Sequence, residues 1–390
     1  MITNIPKHWK IKKLGEIGIF FKGKSVPKNK ITDTGFKCLT YGDLYTKYNF
    51  VIEGVKSFID KETALISQEI RYGDICFAGS GETLEDIGKC ATFIDDEIGY
   101  AGGDIIVFRT EQNPIVMSYL LNSDIAKKQK FSMGQGHSVV HIYSSQLEML
   151  KLPLPPLKEQ EKIAEILLTC DKAIRLTTQI ITQLKQRNQG LAQQLLTGEK
   201  SNYKTIGKYI KEISNRNSNL QVKKVLSVTN SKGFINQFEQ FGRELASSDV
   251  SNYKIVSKGQ FAYNPSRVNV GSIDLLQDSE IGILSPMYIV FETKKDYLSS
   301  KFLYYHLKSN SFLVRIPTYV QGSVRDTLSF KALSEMEFFI PNIEKQKKIT
   351  KILDTAHQEL KLYEQKLQLL QAQKKTLMQK LLTGEVLTIK

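Results

Sequence analysis

The chain is poor in cysteine and histidine and has no long apolar run. Its four cysteines, Cys38, Cys76, Cys90 and Cys170, form no CxxC pair and share no metal-ligand spacing with the five histidines. That argues against zinc and fits reduced thiols in a cytoplasmic protein. No stretch approaches the roughly 18 apolar residues of a membrane span. The N-terminus, Met1-Ile-Thr-Asn-Ile-Pro-Lys-His-Trp, has no apolar core of the signal-peptide kind. No membrane partner is expected. Acidic residues are also in deficit: 54 Lys and Arg against 40 Asp and Glu leave a net charge of +14. A surplus of that size favours a polyanionic partner, most often nucleic acid.

What the chain has is a passage read twice, 186 residues apart. Gln193-Gln194-Leu195-Leu196-Thr197-Gly198-Glu199 returns as Gln379-Lys380-Leu381-Leu382-Thr383-Gly384-Glu385, and Glu159-Gln160-Glu161-Lys162-Ile163 returns as Lys345-Gln346-Lys347-Lys348-Ile349. The offset holds across the whole stretch, so its length is fixed while many of its residues are not. Two copies are too few for a solenoid. The frame carries two divergent segments, 1–156 and 201–342, which predict one task performed at two different targets. Residues 157–199 carry a net +1 and residues 343–385 a net +4, so most of the positive surplus lies in the two variable modules.

The repeated stretches have a heptad seam. In the first it runs Ile163, Leu167, Cys170, Ile174, Thr177, Ile181, Leu184, Asn188, Leu191, Leu195; in the second, Ile349, Leu353, Ala356, Leu360, Tyr363, Leu367, Leu370, Lys374, Leu377, Leu381. Five heptads at 4-3 spacing predict two long helices paired as a coiled coil. Prolines 153, 155 and 156, and Pro341, bar an earlier helix start. Gly198 and Gly384 suit C-caps. About 40 residues at ~1.5 Å rise give rods of roughly 60 Å. An antiparallel pairing, with the modules at opposite ends, suits two like modules on one duplex. Asn188 and Lys374 are polar residues at equivalent seam positions, read either as tolerated imperfections or as register control.

Each variable module reads as a small α+β domain, with short β-rich runs such as Ile105–Phe108 and Met287–Phe291 and helices near 115–128 and 298–313. The chain therefore divides into a first recognition domain (1–156), a first spacer helix (157–200), a second recognition domain (201–342) and a second spacer helix (343–390). The opening ~60 residues of each module show no assignable pattern.

Two enzyme-like motifs are discounted. Phe77-Ala78-Gly79-Ser80-Gly81 looks like the turn that binds S-adenosylmethionine in methyltransferases, and Asn264-Pro265-Ser266 faintly resembles an amino-methyltransferase catalytic loop. Ile75 and Cys76 replace the acidic residue and proline of the first, and Ser266-Arg267 the proline and aromatic of the second. Both fall on the same position of the repeat, whereas a methyltransferase needs both in one domain. They read better as target-facing loops, small residues for close approach beside groups able to bond bases or phosphates. The DNA-binding candidates are Gly79, Ser80, Gly81, Thr83, Gln135, His137 and Ser138 in the first module. In the second they are Asn264, Ser266, Arg267, Asn269, Tyr319, Gln321, Ser323 and Arg325. Arg267 and Arg325 are the strongest. His137 and His141 suit loop hydrogen bonds better than base catalysis, because no nucleophile is spaced with them in sequence.

With Pro155-Pro156-Leu157-x-Glu159-Gln160-x-x-Ile163-Ala164-x-x-Leu167 and the twin Leu-Leu-Thr-Gly-Glu endings, the chain resembles, over its full length, the specificity subunit of type I restriction-modification systems. The resemblance implies a non-catalytic subunit that reads a split DNA site, one half per module, while the helices set the spacing. It implies two modification subunits that bind S-adenosylmethionine and methylate adenine, and two restriction subunits that add ATP- and Mg-dependent translocation and cleavage. No cofactor is expected in this chain. The second copy departs from the pattern at Ile343-Glu344-Lys345-Gln346, with one proline rather than a pair. A variant reading is the recognition subunit of an architecture whose partner fuses modification and cleavage. A self-contained modification enzyme and a bare coiled-coil scaffold fit less well, the first lacking a complete active site and the second leaving the basic modules without a purpose.

Overall fold

A computed structural model of the chain describes residues 5–24, 26–136, 139–237, 249–320 and 327–388. They form two compact units, Met1–Leu176 with Leu367–Lys390, and Thr177–Lys366. The two long helices, Leu157–Leu195 and Ile343–Thr383, each contribute to both units.

In the first unit one five-stranded sheet has the order Gly18–Lys22, Ile105–Thr110, Ile75–Ala78, Cys90–Phe93, Val51–Ile52. A second sheet has the order Ile31–Thr32, Phe58–Ile59, Phe36–Leu39, Gly99–Ala101, Gln68–Ile70. The opening residues without a sequence signal are thus strands of two to five residues, too short for a period to show. Strand Ile75–Ala78 is buried on both faces, and its continuous apolar run reflects that. In the second unit the central sheet runs Ile210–Ile213, Ile289–Thr293, Phe261–Tyr263, Ile273–Leu275.

Strand registers reproduce the repeat. Ile75 lies opposite Phe108, and Phe261 opposite Phe291, which fixes offsets of 186 and 183 for the two strands. Each helix expected near 115–128 and 298–313 is in fact two: Pro114–Leu121 and Asp124–Met133, Ser300–Lys308 and Asn310–Tyr319. Serine causes both breaks. The equivalent Ser123 and Ser309 accept from the amides of Ala126 and Phe312 and restart the helix.

The long helices run antiparallel, as the separation argument expects. In the first unit Ile163 and Leu167 share a core with Leu381 and Leu382, while Asp171 pairs with Lys374. In the second unit Leu191 and Leu195 pack with Ile349 and Leu353, and Lys185 and Arg187 pair with Glu364 and Glu359 at 3.0 and 2.7 Å. Every seam residue named above is buried or half-buried. Gly384 ends its helix at φ +73°, and a side chain there would strike Pro6. Gly198 is not left-handed. A Cβ would lie 2.3 Å from the Phe339 ring, so close packing rather than cap geometry requires glycine there.

The two seam polars are engaged. Asn188 donates to the carbonyl of Ala356 at 2.9 Å. Lys374 pairs with Asp171 and lies over the rings of Phe50 and Tyr119, 4.5 and 4.9 Å from their centroids. Both contacts join opposite helices at matching levels of the repeat, which fits register control better than tolerated imperfection.

Two equivalent core positions differ in chemistry. Lys130, 2% exposed, stands where the second unit has the fully buried Ile316, and His306, 5% exposed, stands where the first has Leu120. Lys130 donates to the carbonyl of Gly88 at 2.6 Å, and burial lowers its pKa. Burial pushes His306 down to about 4, although its Nε2 bonds the carbonyl of Phe339 at 3.1 Å. The ordinary value is about 6.5, so below that pH the unfolded chain binds a proton the folded chain refuses. The second unit should therefore lose stability as pH falls from about 6.5 to about 4, by roughly 3 kcal/mol in all. His306→Leu should flatten that stretch of the pH profile in urea titrations; an unchanged slope would assign it to other groups.

Candidate nucleic-acid interface

In the first unit the candidate loop leaves strand Ile75–Ala78 and at once forms the short strand Ser80–Gly81, paired with Val140–His141. Gly79 donates to the carbonyl of Asp104 at 2.8 Å and accepts from the amide of Ile142 at 3.0 Å. A side chain at Gly79 would lie 3.0 Å from the Asp104 oxygen, and one at Gly81 2.8 Å from the Tyr45 hydroxyl, so both glycines are required by close approach. That hydroxyl donates to the carbonyl of Ser80 at 3.1 Å, and burial raises its pKa. Gln135 exchanges two backbone hydrogen bonds with His141, at 3.0 and 2.8 Å. The loop at 79–81 and the Gln135 segment, far apart in sequence, therefore meet on either side of His141.

In the second unit the loop leaves strand Phe261–Tyr263. Asn264 Oδ1 accepts from the amide of Ser266 at 3.0 Å, Pro265 accepts from the amide of Leu328 at 3.1 Å, and Tyr263 donates to the carbonyl of Leu328 at 3.1 Å. A 3-10 turn, Val268–Val270, follows and is closed by Gly271 at φ +90°. Buried Val268 anchors the turn in the core, leaving Ser266, Arg267 and Asn269 exposed. The bond from Leu328 to Pro265 and the bond from Ile142 to Gly79 are the same bond, both partners displaced by 186 residues. Each unit thus pins its loop to the same returning segment.

The candidates fall into three groups. Thr83, Gln135, Ser266, Arg267 and Asn269 are exposed, and Asn264 is half-exposed. The Arg267 guanidinium has no hydrogen-bond or ion-pair partner among the described residues. Gly79, Ser80 and Gly81 are buried, and Tyr319 is half-buried against the core of its unit. His137, Ser138, Gln321, Ser323 and Arg325 lie outside the described residues.

Sequence reasoning missed one pairing. The Ser80 hydroxyl lies 3.1 Å from His141 Nδ1, although the two are 61 residues apart and no local spacing signals the contact. Among the described residues no group of three or more His, Cys, Asp or Glu could hold a metal, and no helix is long and apolar enough to cross a membrane.

Comparison with known proteins gives the architecture its context. The type I restriction modification DNA specificity domain matches twice, at residues 6–186 and 199–372. The MjaVIII specificity subunit of a type I restriction enzyme from Methanocaldococcus jannaschii is 23% identical, covering 98% of this chain and 94% of that protein. A putative MjaX specificity subunit from the same organism is 24% identical, covering 99% and 95%. The crystal structure of a type I S subunit from M. genitalium superposes with a TM-score of 0.59 at 17% identity, covering 97% of each chain. The HsdS subunit of Thermoanaerobacter tengcongensis superposes at 0.50 with 16% identity, covering 98% of each. Two matched domains, on a duplicated frame with an antiparallel helix pair, place this chain in the type I restriction-modification DNA specificity family.

Proposed function

We propose that each module reads one half of a bipartite double-stranded DNA site, and that the paired helices set the half-site spacing and dock two methyltransferase subunits. Two restriction subunits join the same assembly. In this reading the chain is not itself catalytic, and S-adenosylmethionine, ATP and Mg serve the partners. The observation that carries the reading is the duplicated loop: one scaffold bond, Ile142 to Gly79 and Leu328 to Pro265, holds two loops of different composition. A repeated mount with unlike faces suits two unlike half-sites better than one repeated chemistry. Small residues and amides reach base edges, Arg267 supplies a fork suited to guanine or phosphate, and the net +14 supplies sequence-independent attraction.

The test is adenine methylation across the host genome with the gene intact and deleted. One bipartite motif should vanish on deletion; an unchanged methylome would refute the reading. Arg267→Ala should weaken recognition by about 1–3 kcal/mol and relax one position of one half-site if the side chain reads a base. A uniform loss across all sequences, with a shallower salt dependence, would assign it to phosphate instead.

A further inference from the structure

The first unit has a small cleft beside the pinned loop, about 100 Å³ in volume, bordered by Phe21, Lys22, Ser80, Asp104, His141 and Tyr143. His141 is held on both sides of its backbone, by Ser80–Gly81 and by Gln135. Its imidazole is held as well, through Nδ1 and the Ser80 hydroxyl at 3.1 Å. Ser80 is 6% exposed, so it cannot present that hydroxyl to a ligand while bonded to the ring. The half-exposed imidazole keeps Nε2 for another partner, and no hydrogen bond occupies it among the described residues.

Tyr143 breaks a local rule. At the equivalent place Ser329 caps helix Phe330–Glu335 by accepting from Ala332. Tyr143 leaves the start of helix Ser144–Glu148 to Gln146, whose Oε1 accepts from the Tyr143 amide at 2.8 Å. Serine is the better cap, and sequences that break such rules do so preferentially at functional sites. The Tyr143 ring is 53% exposed and lies within 20° of parallel to His141, centroids 6.4 Å apart. The second unit has Thr327 and Ser329 at these two positions.

We infer that His141 reads a base edge of the first module's half-site through Nε2, with Tyr143 as its apolar flank and Ser80 as the positioning residue that fixes the ring. This rests on the functional reading above and makes Ser80, a direct-contact candidate from sequence, an indirect one. In the tautomer whose Nδ1 accepts from the Ser80 hydroxyl, Nε2 carries the hydrogen and donates, which selects a base offering an acceptor there, such as guanine N7 or O6 or thymine O4; in the other tautomer Nε2 accepts and selects a base amino group.

The experiment is the genome-wide methylation motif of cells carrying the full-length variant with its own partner subunits. His141→Ala should turn one fixed position of one half-site degenerate and leave the other half-site and the spacer intact. Ser80→Ala should relax the same position, and the double variant should relax it no further, an equality that a merely structural role for Ser80 would not produce. A motif unchanged in every letter under His141→Ala overturns the inference. If that variant abolishes methylation, His141→Asn takes its place: an altered letter in one half-site supports the inference, and an unchanged motif or complete loss overturns it. Absence of any bipartite motif in cells with the natural gene would overturn the functional reading and this inference together, whereas an intact parental motif with an indifferent His141 removes the inference alone.

Discussion

Inserting four residues immediately before Leu184 lengthens the spacer of the recognised DNA site by one or two base pairs and leaves both half-sites letter for letter. Four residues add about 6 Å of helix and about 400° of rotation, so the seam returns to its face with a small overshoot, a shift coiled coils absorb as a stutter. Six ångströms is close to two base-pair steps at roughly 3.4 Å each. With the second helix unchanged, the pairs of Lys185, Arg187 and Asn188 with Glu364, Glu359 and Ala356 can be kept only if the contacts upstream of the insertion, Asp171 with Lys374 among them, slip by about one turn along it, and that slip is what lengthens the spacer. A two-residue insertion is the contrast. It turns the helix by about 200° and sends the downstream seam to the solvent face, so it should abolish modification altogether. Altered half-sites with an unchanged spacer, read from the methylation motif of the four-residue variant, would defeat the idea that helix length is the ruler.

Gln160→Ala and Gln346→Ala should each destabilise their unit by roughly 2–5 kcal/mol, and by similar amounts. Both glutamines are fully buried. Gln160 Oε1 accepts from the Asn113 amide at 2.8 Å, and its Nε2 donates to the Pro155 carbonyl and to Gln112 Oε1, both at 2.8 Å. Gln346 repeats the pattern with the Ser299 amide at 2.9 Å and the carbonyls of Pro341 and Tyr297 at 2.8 and 2.9 Å. Asn113 and Ser299, and Pro155 and Pro341, are 186-residue equivalents. Alanine removes the partner of one amide and of two acceptors at once; an orphaned buried group costs about 1–3 kcal/mol, and one that water reaches, at half-buried Gln112 or exposed Tyr297, costs less. Urea unfolding of the full chain would measure the loss. A cost below about 1 kcal/mol for either variant would mean that water takes over the glutamine's bonds.

These glutamines show where sequence reading reached and where it stopped. The glutamine of the helix start is legible as a pattern because it occurs twice at one offset, but its reason is not, since the amide each copy binds lies 47 residues upstream. The heptad seam is fully legible because a 3.5-residue period accumulates over five heptads. The short strands of the first sixty residues are not, because two to five residues give no period to detect. The helix pairs inside each module looked continuous because serine's cap hydrogen bond competes with a propensity cost too small to read from one residue. The interface was half legible. The repeat located both loops, yet only the fold shows that Ser80 faces inward to His141 while Arg267 faces outward.

The constant offset of the long helices has a hereditary consequence. The two copies differ in length at several places within the modules, where the offset moves between 186 and 183, but nowhere along the helices. A crossover between the two helix-coding stretches at matching positions therefore splices one helix into the other with every seam residue still on the seam. Exchange with a related gene at the same positions delivers a foreign module onto an unbroken rod. The stretch most constrained in length is thus also the stretch where the gene can be cut and rejoined without harm, so new pairs of half-sites can arise by shuffling whole modules rather than by point substitution within them.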